Sequence, residues 1–217
     1  MILQNMFVIC QNKNIIMKKL PLYIFLVLMW CNIAFGKISN YQMAGAKLNI
    51  SILEIMTADQ VAENVLGTDQ RDENYFHIKY VPDKTKYQNL EFNEYYVTIN
   101  ISNEIYPIVA ISAIEWFKND FDACMKKQNM YANKFEKIFG IKKEVHPISD
   151  FSDKYGPGSK WRPIIFEHPN FKTIKSDTAS ILCYHYGTSP ENDLYGEDNL
   201  KINILTREYA DLITVEN

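Results

Sequence analysis

The sequence predicts an α+β fold: a mostly antiparallel or mixed sheet of about seven strands, with one long helix and one short helix packed on it. Three observations lead there. Apolar and polar residues alternate with period 2 in several short segments, as half-buried strands require. Two other segments switch to three- and four-residue spacing between recognisable caps. The strand-like segments follow one another through short connections, which favours antiparallel or mixed pairing over a doubly wound sheet.

Taken in order, Leu48, Ile50 and Ile52 alternate with Asn49 and Ser51 and predict a first strand. Thr57-Ala58-Asp59-Gln60 matches a capping box ahead of Val61, Val65 and Leu66, and Gly67 stands where a left-handed helix end is expected. Phe76, Ile78 and Tyr80 alternate with His77 and Lys79. From 95 to 102, Tyr95, Val97, Ile99 and Ile101 face one way, while Tyr96, Thr98, Asn100 and Ser102 face the other. Segment 107–117 is apolar on both faces and reads as a central strand covered on each side. The long helix is expected from Asn119-Asp120 to Phe139, ended by Gly140. Its inward stripe runs through Phe121, Cys124, Gln128, Tyr131, Phe135 and Ile138. Residues 162–167, 178–185 and 200–204 complete the strands.

The first 36 residues have a different composition. They hold Lys13, Lys18 and Lys19, three of the 23 basic residues, and none of the 26 acidic ones. Met17-Lys18-Lys19 opens a basic region, Leu20 to Cys31 is uncharged and apolar, and Ala34-Phe35-Gly36 supplies the small-x-small exit of a secretory signal peptide. Cleavage is expected between Gly36 and Lys37, with 1–16 an upstream extension and Met17 a candidate start in place of Met1. The alternative is a membrane anchor through uncleaved residues 20–36, whose length is at the bottom of the spanning range. Residues 37–217 then form a single exported α+β domain, periplasmic or extracellular. Its formal charge of −6 disfavours nucleic acid as a partner, and no stable membrane insertion is expected once the signal is removed.

Export sets the redox compartment, where disulfides persist. Two cysteines remain, Cys124 on the helix stripe and Cys183 on one face of the strand 178–185. If that strand face meets the helix, the two should bond.

Other candidate chemistry is sparse. His77, His146, His168 and His185 show no i, i+4 pairing, and HExxH and CxxC are missing, so neither a metal nor another cofactor is expected. His77 falls on the solvent side of its strand, and His146 and His168 precede prolines in loop positions. The loop Gly156-Pro157-Gly158-Ser159-Lys160 departs from phosphate-loop spacing and reads as a strand-entry turn; Trp161 beside it reads as partly buried packing at a strand start, with a flat cationic contact through Trp161-Arg162 as the alternative. The acidic loop 191–198 fails the EF-hand pattern at Ile202, where a glutamate is needed.

Fourteen tyrosines, with Tyr184 and Tyr186 on the face opposite Cys183, suit recognition of another protein. The expected function is therefore an exported, non-catalytic binding protein. The alternative is a secreted hydrolase whose residues converge only in three dimensions, with His185, His168 and nearby carboxylates as first candidates. An enzyme should show a concave site where histidine meets carboxylate, and a binding module a flat aromatic patch.

Overall fold

The computed structural model describes residues 38–87, 90–150, 156–168, 176–187 and 197–214, all within one compact unit, Gly36–Asn217. The signal-peptide segment, and most of the acidic loop 191–198, lie outside the described residues. In chain order come β1 (Gln42–Met43), β2 (Ala46–Lys47), α1 (Ala58–Asn64), β3 (Val65–Thr68), β4 (Tyr75–Tyr80), β5 (Glu94–Asn100) and β6 (Ile108–Phe117). After these come α2 (Phe121–Phe139), β7 (Glu144–Val145), β8 (Ser149–Asp150), β9 (Lys160–Phe166), β10 (Thr178–His185), β11 (Asp198–Leu205) and α3 (Arg207–Thr214).

The fold is α+β, as expected, and its main sheet is antiparallel throughout. Among the described residues that sheet has nine strands rather than about seven, in the order β3-β4-β5-β6-β11-β10-β9-β7, with β8 also on β9. The additional strands are two to four residues long, too short to show a period in sequence. The third helix, α3, was likewise not predicted.

Local chemistry explains most boundaries. Asp120 caps α2 by accepting the Ala123 amide at 2.9 Å, and Gly140 closes it in the left-handed region at φ 65°. Thr57 and Gln60 form the predicted capping box of α1. That helix stops at Asn64, however, and Gly67 belongs to β3 at φ 145°, where a register shift separates Val65 from Gly67. The stretch 48–52 is not a strand. Ser51 and Glu54 make a second capping box around a 3-10 turn (Ile52–Glu54), and only a single bridge from Ser51 to Pro107 remains of the expected pairing. Ser-x-x-Glu overrode the alternation.

The core lies between α2 and one face of the sheet. Ile78, Val97, Ile111, Ile164, Ile181, Leu200, Ile202 and Ile204 point there from successive strands, all buried. The N-terminal segment joins them through Ile38, Met43, Leu48 and Ile52. On α2 the stripe runs as predicted through Phe135 but ends on Phe139 instead of Ile138, which is 41% exposed. Gln128, the polar break in that stripe, is fully buried, and its Nε2 donates to the carbonyls of Arg162 and Ile181 at 2.7 Å each. It ties the helix to two neighbouring strands. Cys124 and Cys183 also meet here at disulfide distance, Cα to Cα 6.0 Å.

Pro163 sits within β9 yet breaks no bond to β10. A strand residue's N–H and C=O point to the same side, and the Pro163 carbonyl accepts from the His146 amide, on the β7/β8 side, at 3.1 Å. Its missing donor therefore faces the gap between those two short strands.

Candidate groove on the open face of the sheet

The sheet face turned away from α2 is concave. Alternate residues of six strands, β4, β5, β6, β11, β10 and β9, stand on it in cross-strand rows. One row is His77, Thr98, Ala110, Leu205 and Thr178; the next is Lys79, Tyr96, Ser112, Asn203, Ser180 and Ile165. A third runs Glu94, Ile114, Lys201, Leu182 and Pro163, and a fourth Trp116, Asn199, Tyr184 and Trp161. The right-handed twist of a wide sheet curls these rows inward. With Leu66 of β3 at one margin, Trp161 of β9 at the other and α3 across one end, they line a groove of about 990 Å³. Segment 107–117 is thus the central strand expected from its sequence, but only its Ala110 end is covered on this side, by α3.

Hydrogen bonds fix the polar row. Ser112 Oγ donates to Asn203 Oδ1 at 2.8 Å, and Asn203 Nδ2 donates to Ser180 Oγ at 3.2 Å. Tyr96 bonds Glu94 through its hydroxyl, and Lys79 pairs with Glu94 at 3.1 Å. At one rim Trp161, Tyr184 and Tyr186 form a ladder of near-parallel rings, each 6.2 Å from the next. The face expected for Tyr184 and Tyr186 is the one found. Trp161 and Arg162 do not make a joint contact, because alternation in β9 sends them to opposite faces. Trp161 lines the groove, and Arg162 donates to Asn129 of α2 at 2.7 Å.

At the α3 end lies a buried polar cluster. Asp69, 6% exposed, accepts the Tyr209 hydroxyl at 2.8 Å and the Arg71 amide at 2.9 Å, and faces His77 Nε2 at 3.4 Å. His77 Nδ1 is 3.0 Å from Thr98 Oγ1. Burial acts to raise the Asp69 carboxyl, but the Arg71 amide, the Tyr209 hydroxyl and the charges of His77 and Arg71 hold it below the usual range. Burial lowers His77, with Lys201 adding to the effect and Asp69 opposing it. The order Asp–His–Thr resembles a nucleophile relay. Thr98, however, is a buried residue in the middle of β5, beneath Tyr209, so the cluster reads as a clasp holding α3 against the β3–β4 hairpin.

Lys201 stands near the centre of the groove. Four basic residues stand on this face: His77, Lys79, Lys201 and Arg207. His77 faces Asp69, Lys79 pairs with Glu94 and Arg207 pairs with Asp211, whereas among the described residues Lys201 has no ion-pair or hydrogen-bond partner. Half-buried between Ile114 and Leu182, its ammonium is pushed below the ordinary lysine range by loss of solvent. The native state binds the Lys201 proton less tightly than the unfolded chain, so stability rises with pH between the lowered native value and about 10.4, the unfolded value. Lys201→Met should therefore stabilise the protein near pH 7 by about 1 kcal/mol, or roughly 2–4 °C in Tm. The difference should shrink as pH rises through the lowered native value toward about 9.5. Above that range Tyr41 and Tyr80 intervene, both pushed up to about 12 by burial, and their ionisation in the unfolded chain destabilises the fold. Thermal melts across the series check this.

The two histidines first considered for hydrolysis are separated. His185 pairs with Lys160 in the register, whereas His168 lies two residues past Phe166, about 25 Å along β9. His185 does meet a carboxylate. Its Nδ1 is 3.0 and 3.1 Å from the two oxygens of fully buried Asp198, which also accepts the Tyr186 amide at 3.2 Å. This dyad lies on the α2 side, with the Phe121 ring 5.7 Å away, and among the described residues no hydroxyl or thiol bonds His185. His146 lies between β7 and β8, near Glu144 at 3.4 Å. Among the described residues no three His, Cys, Asp or Glu side chains are grouped to hold a metal.

The sequence reading singles out none of Lys201, Ser112, Ser180 and Asn203. Lys201 and Asn203 are the polar half of an alternation that reads as solvent-facing, whereas Ser112 sits in a segment that reads as apolar on both faces. Fold and site together define an open, curved antiparallel sheet braced by a helix on one face and grooved on the other. No family model matches the chain, no curated protein is similar to it, and no solved structure matches it.

Proposed function

We propose that the protein is an exported, non-catalytic binding protein of the periplasm or extracellular space, and that it holds its ligand in the groove. The observation carrying this is the groove itself: about 990 Å³, mixed apolar and hydrogen-bonding, and built on central strands whose opposite side is the core. Sites of this size and lining are typical of small-molecule and extended-segment binding. Support for export is the apolar, basic-fronted N-terminus together with the cysteine pair at disulfide distance. Among the described residues no helix is long and apolar enough to cross a membrane. The partner expected from the sequence was another protein. A concave floor favours an extended segment or a small molecule over a flat protein face, with the Trp161–Tyr184–Tyr186 ladder as its rim.

Native mass spectrometry of the protein recovered from its own compartment tests this reading. The wild type should carry a bound species. Ser112→Trp, which fills the groove, should lose it, and Lys126→Trp on the exposed side of α2 should keep it. Equal loading of Ser112→Trp and wild type would refute the groove. The alternative, a secreted hydrolase, draws on the His185–Asp198 dyad. Turnover of the bound species that disappears in His185→Ala would favour it.

A further inference from the structure

We propose that the groove takes an amphiphile bearing a single carboxylate, with Lys201 as the anchor for that carboxylate. The inference rests on the groove being the binding site and adds the chemistry of what binds there.

Lys201 is a cation without a partner among the described residues, set on the floor of a groove whose other basic residues, His77, Lys79 and Arg207, already face carboxylates. Removing an ammonium from water without a counter-charge is costly, and a bound anion would relieve that cost. A second donor stands beside it. Ser180 Oγ accepts from Asn203 Nδ2, which leaves its own proton free, and Ser180 is a diagonal neighbour of Lys201 across the β10–β11 pair. One ammonium and one hydroxyl match the two oxygens of a carboxylate. They do not match a phosphate dianion, which calls for more donors and more positive charge.

The rest of the ligand is defined by what flanks Lys201. Ile114 and Leu182 are its direct cross-strand neighbours, and Ile165, Leu205 and Leu66 extend the apolar lining. Asp211 is already paired with Arg207 and Glu167 also lines the groove, so a second negative charge on the ligand would meet a carboxylate there and no counter-ion among the described residues. The complementary molecule has one charged head and an apolar body.

Titration of the full-length mature chain with decanoate, decanol, decyl phosphate and decyltrimethylammonium, followed by the fluorescence of Trp116 and Trp161 and by calorimetry, tests the assignment. Decanoate should bind on the order of tenfold or more tightly than decanol. Lys201→Met should abolish that preference without weakening decanol, and Lys201→Arg should retain it. Circular dichroism of each variant confirms folding. Equal binding of decanoate and decanol to the wild type, with both lost in Ser112→Trp, would overturn the carboxylate anchor and leave the groove as a binding site. Tighter binding of decyl phosphate would overturn the carboxylate in favour of a phosphate head. Binding of none of the four overturns the amphiphile, and the reading of the groove as a site then falls only if native mass spectrometry also finds it empty.

Discussion

Phe135→Ala is expected to cost about 3–5 kcal/mol, a large share of the roughly 5–15 kcal/mol that holds a domain folded. Phe135 is 1% exposed and touches rings from every layer of the core. Its centroid is 5.1 Å from Tyr41 in the N-terminal segment, 5.0 Å from Phe139 on its own helix and 6.0 Å from Phe166 on β9. Truncation would leave a cavity walled by side chains anchored in three separate elements, so collapse is hindered and the cavity cost is retained. Urea unfolding should show a much lower midpoint with an unchanged slope. Ile138→Ala, three residues along the same helix but largely exposed, should shift the midpoint by less than about 1 kcal/mol. That contrast tests the phase of the helix as well as the size of the effect.

Replacing Cys124 and Cys183 together by alanine should cost roughly 2–4 kcal/mol. The residues are 59 apart in sequence, and the chain-entropy model for closing such a loop gives about 4 kcal/mol, with less usually realised. The bridge would join the first turn of α2 to β10, near the middle of the sheet. Without it, Gln128 is left as the polar link between the same helix and strand. Alkylation of the unreduced protein should find no reactive thiol in residues 37–217. Two alkylated cysteines would refute the bridge.

Much of this fold was readable where local chemistry and burial agree. Asp120 and Gly140 mark the ends of α2 because caps act within one turn, and 178–185 matched β10 residue for residue because both its faces are set by one alternation. Residues 48–52 misled because Leu48 and Ile52 are buried and Ile50 partly so, as alternation implies, yet the backbone follows the Ser51–Glu54 capping box into a turn. Ile138 misled because three- and four-residue steps from Phe135 are both acceptable on a helix, and only the position of Tyr41 and Phe166 selects Phe139. The groove was unreadable for a different reason. Alternation separates two faces but does not say that the polar one curves, nor that Ser112, Ser180 and Asn203, spread over some ninety residues, share one row.

Pro163 and the strands outside it have a consequence for how this protein meets other chains. At one margin of the sheet β7 and β8 offer two residues each, carry exposed Glu144 and Asp150, and flank a position with no amide to donate. At the other, β3 is four residues long and interrupted by its register shift. Among the described residues neither margin offers a long, regular template for strand addition, the usual route by which open sheets polymerise or capture extended peptides. A sheet this wide can thus stay open at a high local concentration without growing into fibrils. On the proposed reading, other molecules meet this sheet at its face and not at its edge.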